Sequence, residues 1–266
     1  MQSKSIKESS PSEYQPIDST HKLSRRTLVA AALIVAVIPA AILLGGEWLQ
    51  TIKFALFGKT VVIRQYYFVS LFIILCTMLP FFMVFEKRRP QARELIVLSV
   101  LAALAVAGRA AFFMLPQFKP VVAIVIITGV CFGAESGFLV GAVTGFVSNF
   151  FFGQGPWTPW QMFCFGIIGF LAGILFKKGF LGKSRLALCL FGGLSTFFIY
   201  GIIMDFSSVM MFSASMNQQS FGAVLLSGIP FNLIHAAATV IFLFFLSQPM
   251  IEKLDRIKRK YGLLEP

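Results

Sequence analysis

The chain has 266 residues, is 57% hydrophobic and only 13% charged, and has a mean hydropathy of +0.82. Soluble domains carry roughly 25% charged residues, so this composition excludes one. The formal net charge of +12 would suggest nucleic acid in a soluble protein; here the Lys and Arg excess that membrane proteins keep on their inner side accounts for it better, and no nucleic-acid partner is expected.

Several apolar runs approach or exceed the ~18 residues that cross a hydrocarbon core. In lipid the backbone must be satisfied within helices or a closed barrel. The runs are continuous rather than alternating, so an all-α, polytopic membrane helix bundle is expected. Residues 1–27 read as a disordered cytoplasmic tail, rich in Ser, Lys, Glu and Pro over its first 21 positions. Lys22, Arg25 and Arg26 precede the first span, Leu28–Leu44. SRRTLVAA has a twin-arginine look, so a signal peptide competes with a retained helix; no small-x-small cleavage site precedes Glu47, which favours retention. Residues 45–65, with Lys53, Lys59 and Arg64, suit an interfacial segment.

Tyr66–Phe85 is the second span and ends at the basic loop Glu86-Lys87-Arg88-Arg89-Pro90. Residues 28–93 thus form a unit of two N-terminal spans and a basic loop. Residues 94–247 form a six-span core. Its spans are Glu94–Leu115, the short Pro120–Ala134, Ser136–Phe152, Pro159–Phe176, Leu186–Phe206 and Phe221–Leu246, with Glu135 breaking the second from the third. Residues 248–266 are a basic cytoplasmic tail. There Ile251, Leu254 and Ile257 recur at helical spacing among five Lys and Arg residues, the pattern of a helix lying on an anionic leaflet. Cys76, Cys131, Cys164 and Cys189 sit inside apolar runs without CxxC spacing and imply neither disulfide nor metal.

Eight spans put both termini on one side. The N-terminal tail, the 86–93 and 177–185 loops and the C-terminal tail hold about 18 of the 23 Lys and Arg residues, against about four on the other side. Both termini are therefore expected in the cytoplasm, and 115–120, 152–159 and 207–220 converge outside. Gly129, Gly133, Gly137, Gly141 and Gly145 recur every four residues, and Gly169 and Gly173 repeat the spacing. Small-xxx-small faces let helices approach closely in lipid.

The candidate site residues gather near the outer loops. Arg109 lies inside a span, where an ionisable group is a functional candidate; the alternative is snorkelling to the headgroups. Asp205 is at comparable depth, to pair with Arg109 or face a ligand. Asn149 either bonds a ligand or caps its helix. Trp157 and Trp160 either stack on a planar ring system or belong to the interfacial aromatic belt. Gln154 and Gln161 suit ligand hydrogen bonds, because a belt needs no amides. Asn232 and His235, three apart after Pro230, share a face that reaches the pocket floor or packs in the interior. Glu135 suits a helix N-terminus. With His21 the only other histidine, no metal site is suggested, and no cofactor or catalytic residue is called for.

With these elements placed, residues 94–246 resemble the substrate-binding S component of an energy-coupling factor (ECF) vitamin transporter. The six-span core, LAALAVAGRAAFFMLPQFKPVVAIVIITG (101–129), FGAESGFLVGAVTGFVSNFFFGQGPWTPWQM (132–162) and the small-residue face of the first core helix carry the resemblance. SNFFFGQGPWTPWQM is closest to members that take cobalamin or its precursors. The resemblance implies outward capture of a vitamin-like small molecule. It implies import with a transmembrane coupling protein and two cytoplasmic ATPase subunits, in the lipid bilayer of the cell membrane. It also implies docking through an Ala-xxx-Ala motif, matched by Ala103 and Ala107 and extended by Ala111. The absence of a GxxxxGK[ST] loop agrees with ATP being handled by partners. A stand-alone transporter would want coupling-ion carboxylates near the midplane, and an intramembrane enzyme would want paired acids or a dyad; neither is evident in the spans.

Overall fold

A computed structural model describes residues 51–56, 59–64, 71–72, 74–75, 78–79, 82, 91–177, 179–212 and 218–263. The expected tail 1–27, the first span Leu28–Leu44, the basic loop 86–90 and the centre of the 207–220 loop lie outside the described residues.

The described chain is helical with one exception. The segment expected at an interface holds an antiparallel hairpin, β1 (Thr51–Leu56) paired with β2 (Lys59–Arg64), in a register that sets Thr51 against Arg64 and Leu56 against Lys59. Thr, Ile, Val and Phe dominate both strands, which favours the extended chain over a helix. Of the second expected span, residues 71–72, 74–75, 78–79 and 82 are described and helical. Ile74 and Met78 bury into a cluster with Phe138 and Phe170, and the Phe82 ring meets Phe138 edge-on at 5.9 Å.

Six rods follow: α1 (Ala92–Ala111), α2 (Val121–Phe132), α3 (Ala134–Phe152), α4 (Thr158–Ala172), α5 (Arg185–Leu194) running into α6 (Ile202–Phe212), and α7 (Gln218–Tyr261). A wider π-helical turn, Gly173–Lys177, extends α4, and a second, Ser195–Gly201, joins α5 to α6. Five of the six rods are long and apolar enough to cross a membrane. The exception, α2, has 12 residues and is only ~18 Å long at 1.5 Å per residue. Every one of its residues is buried. It is the axle of the bundle, wrapped by α1, α3, α4 and α7.

Helix boundaries shift from the expected ones at two places. The break between α2 and α3 falls at Gly133, whose φ of 105° L side chains rarely adopt, and Glu135 joins the first turn of α3. Gly133 is thus a turn residue and not part of the packing stripe. The C-terminal tail continues α7 without interruption, and Ile251 and Leu254 bury in the main core. Its apolar stripe packs on the bundle instead of facing a leaflet. Lys258 and Lys177 donate to the carbonyls of Cys131 and Phe132. Both ammonium groups thereby complete the C-terminus of α2, where the helix dipole favours a cation.

The tightest packing joins α3 to α4. A Cβ at Gly137 would collide with the Gly169 backbone, one at Gly141 with Phe165, and one at Gly145 would press on Met162. Gly129 of α2 faces the Gly169 carbonyl in the same way. Backbone here lies directly on backbone, which only missing side chains permit. Gly141→Ala is predicted to destabilise the protein by about 1–3 kcal/mol, the usual cost of overpacking. Gly182→Ala, where a Cβ meets nothing within 4 Å, should leave thermal unfolding in detergent unchanged.

Candidate functional site

The glycine seam brings the end of α3 beside the start of α4, and the polar residues of both converge there. Asn149 is fully buried and sits at the hub. Its Nδ2 donates to Thr158 Oγ1 at 3.0 Å and to Gln161 Oε1 at 2.9 Å. Its Oδ1 accepts from Arg109 Nη1 at 2.8 Å. The same guanidinium nitrogen donates to Ser148 Oγ. Gln161 passes the chain on, its Nε2 donating to the Tyr200 hydroxyl at 2.9 Å. Tyr200 stacks on Phe165 at 5.1 Å and meets the His235 ring edge-on at 4.6 Å. The chain Arg109–Asn149–Gln161–Tyr200 therefore ties α1, α3, α4 and the π-helical turn before α6 together, with His235 of α7 against its end.

This network borders a cavity of about 200 Å³, lined by Arg109, Gln161, Tyr200, His235, Lys119, Gln117 and the rings of Phe113, Phe152 and Phe165 among others. Arg109 packs over the Phe152 ring at 4.6 Å. Its guanidinium turns into the bundle rather than snorkelling outward. Lys119 folds back to donate to the carbonyls of Phe112, Phe113 and Leu115, completing the end of α1. Partial burial and the nearby Arg109 charge lower the Lys119 ammonium pKa from its ordinary value. Gln117 has a φ of 55°, inside a tight turn closed by Phe118 N–H to the Pro116 carbonyl at 2.7 Å. Such a strained residue at a cavity rim persists only where its surroundings hold it.

The expected site residues divide into three groups. Arg109, Gln161 and His235 line the cavity. Asn149 stands behind them as the residue that orients Arg109 and Gln161; it bonds side chains of three other residues and does not cap its helix. The remaining five lie elsewhere. Gln154 braces the turn between α3 and α4, bonding the Phe146 carbonyl and Thr158. Trp157 lays its ring against Gly155. Trp160, 2% exposed, is a core residue against Phe206, so neither the belt nor the cavity holds it. Asp205 accepts from Asn232 Nδ2 at 2.8 Å, which answers the carboxylate locally and leaves Arg109 to Ser148 and Asn149. Tyr200 is not legible in the sequence: one hydroxyl in the apolar run STFFIYG carries no spacing signal.

The fold and the site define a polytopic helical membrane protein with a polar cavity at one end of its bundle. A sequence profile of the "ECF transporter, substrate-specific component" family matches residues 93–247, more than half of the chain, and the chain belongs to that family. It is thus the substrate-specific component of an ECF transporter, a transport protein and not an enzyme, and such components pair with the ECF energizing module. The chain is 29% identical over 155 residues to a UPF0397 protein of Aliivibrio salmonicida, covering 56% of this chain and 80% of that relative. A UPF0397 protein of Aliivibrio fischeri is 30% identical over 129 residues, 47% and 68% of the two chains. One of Vibrio atlanticus is 34% identical over 88 residues, 31% and 48% of the two chains. No solved structure matches the chain.

Asn149→Leu strips three partners at once from the buried network. Leaving such groups unsatisfied costs about 1–3 kcal/mol each. The variant is predicted to melt well below wild type in detergent, whereas Gln154→Leu, at the exposed turn, should melt within a few degrees of it.

Proposed function

We propose that the cavity between α1, α4, the π-helical turn before α6 and α7 captures a vitamin or vitamin precursor from outside the cell for ATP-driven import by the partner subunits. The observation that carries this is the meeting of Arg109, Gln161, Tyr200 and His235 on one hollow at the end of the bundle. Polar side chains inside a membrane bundle are expensive unless they serve one another or a ligand. The cavity end also carries few charges among the described residues. The opposite end holds Lys177, Lys183, Arg185 and the Lys and Arg residues of the α7 extension. By the positive-inside rule that basic end faces the cytoplasm and the cavity faces out.

Within this reading the ligand is cobalamin or a cobalamin precursor. A cavity of about 200 Å³ suits a precursor of one or two rings better than the complete corrinoid, because drug-sized ligands alone take about 300–1,000 Å³. Ala103, Ala107 and Ala111 lie exposed along one face of α1, while Leu98, Leu101, Ala102 and Ala105 bury on the other. A smooth, uncovered small-residue face of this kind supports docking on the transmembrane coupling protein. The hairpin and the second span lie outside the six-rod core and take no part in this reading.

Calorimetry on the purified chain with cobalamin, α-ribazole, riboflavin and folate tests the ligand class. At least one should bind, and silence across all four overturns the vitamin reading. Ala103→Trp and Ala107→Trp should abolish uptake in cells while leaving ligand binding intact; unchanged uptake counts against docking through this face.

A further inference from the structure

Two cations face the cavity, and no acidic side chain among the described residues lines it. Arg109 spends a single nitrogen, Nη1, on the neutral acceptors Ser148 and Asn149. Its Nε and Nη2 donate to nothing among the described residues. The carboxylate of Asp205 accepts from Asn232 and is absent from the cavity wall. Lys119 stands at the rim and is held only by backbone carbonyls, which satisfy its hydrogens without neutralising its charge. An uncompensated guanidinium in low dielectric is costly, and a second cation facing the same hollow raises that cost. A third polar atom is unspent: the imidazole of His235, 3% exposed on the cavity wall, leaves its buried Nδ1 without a hydrogen-bond partner.

We propose that the natural ligand is a small anion, its carboxylate or phosphate hydrogen-bonded by the free edge of Arg109 and attracted by the unneutralised charge of Lys119, its body a planar ring system lying among Phe152, Phe165 and Tyr200 with a polar ring atom bonded to His235. This rests on the cavity being the ligand site. A guanidinium edge with two unused N–H groups in a fixed fork matches a carboxylate or phosphate. Phe165 and Tyr200 lie nearly parallel, 23° apart, as part of an aromatic wall. The cavity volume of about 200 Å³ limits the body to one or two rings, since larger ligands need the range above about 300 Å³. The anion lends its charge to both cations and so restores the neutrality that the protein side alone lacks.

The test is calorimetry on the full-length chain in lipid nanodiscs with two matched pairs at up to millimolar concentration. The probes are benzoate against benzamide, and pyridoxal 5′-phosphate against pyridoxal. The anionic member of at least one pair should bind tenfold or more tighter than its neutral counterpart. Arg109→Gln should erase that preference. Because Arg109 also braces Asn149, Lys119→Gln at the rim provides a second reading: it should weaken binding of the anionic member several-fold and leave binding of its neutral counterpart unchanged, a split that a merely structural role at the end of α1 would not produce. Equal affinity within both pairs, binding by none of the four, or an anion preference that survives in both variants overturns the proposal. None of those results touches capture of a small molecule by this component, which stands or falls on the separate ligand set and on uptake.

Discussion

The structure depends on backbone lying against backbone along α2, α3 and α4. In water, helices associate by burying apolar surface; in lipid that incentive vanishes, because the surroundings are as apolar as the side chains. Close approach must supply the attraction instead. Gly129, Gly137, Gly141, Gly145 and Gly169 remove the side chains that would hold the helices apart. This seam fixes the height at which the end of α3 meets the start of α4. Asn149 and Gln161 are therefore within 3 Å of each other, Asn149 fully buried and Gln161 at the cavity wall.

The polar network inherits its order from that seam. Asn149 has one acceptor oxygen and two donor hydrogens, and all three are used on different residues. An amide satisfied in this way has one orientation, and so does each neighbour it holds. Arg109 is aimed inward by Ser148, Asn149 and the Phe152 face; Gln161 is aimed at Tyr200. A site preorganised by its own second layer of hydrogen bonds loses little freedom when a ligand arrives. Asp205 and Asn232 form a separate pair that joins α6 to α7, and Gly201 and Gly228 leave room for both side chains.

Much of the core was legible because hydrophobic run length and the glycine period are properties of the chain itself. The six rods between residues 92 and 261 follow the expected spans, and the glycine repeat marks the helices that touch. The differences are local. Gly133 looks like one more member of the repeat, and only its positive φ reveals it as the turn between α2 and α3. The hairpin at 51–64 was hidden by lysines that also suit an amphipathic surface segment. The 251–257 stripe has the spacing of a leaflet-bound helix, and a helix packed on its own bundle has the same spacing. At the site, Arg109 stood out because a charge inside an apolar run is conspicuous. Tyr200 did not, because stacking and one hydroxyl contact depend on neighbours from distant helices. For Asp205 the sequence leaves pairing with Arg109 and facing a ligand equally open, because depth says nothing about which helix faces which.

The central claim is that the hollow between Arg109 and His235 holds the transported molecule. A ligand-bound structure of the chain, purified from its native membrane with whatever it carries and that molecule identified by mass spectrometry, tests this most directly. The account predicts density for the molecule within hydrogen-bond reach of the Arg109 guanidinium and His235, with Asn149 still behind Arg109. Density seated at the Asp205–Asn232 pair or on the exposed face of α1, with the hollow empty or closed by side chains, would contradict it.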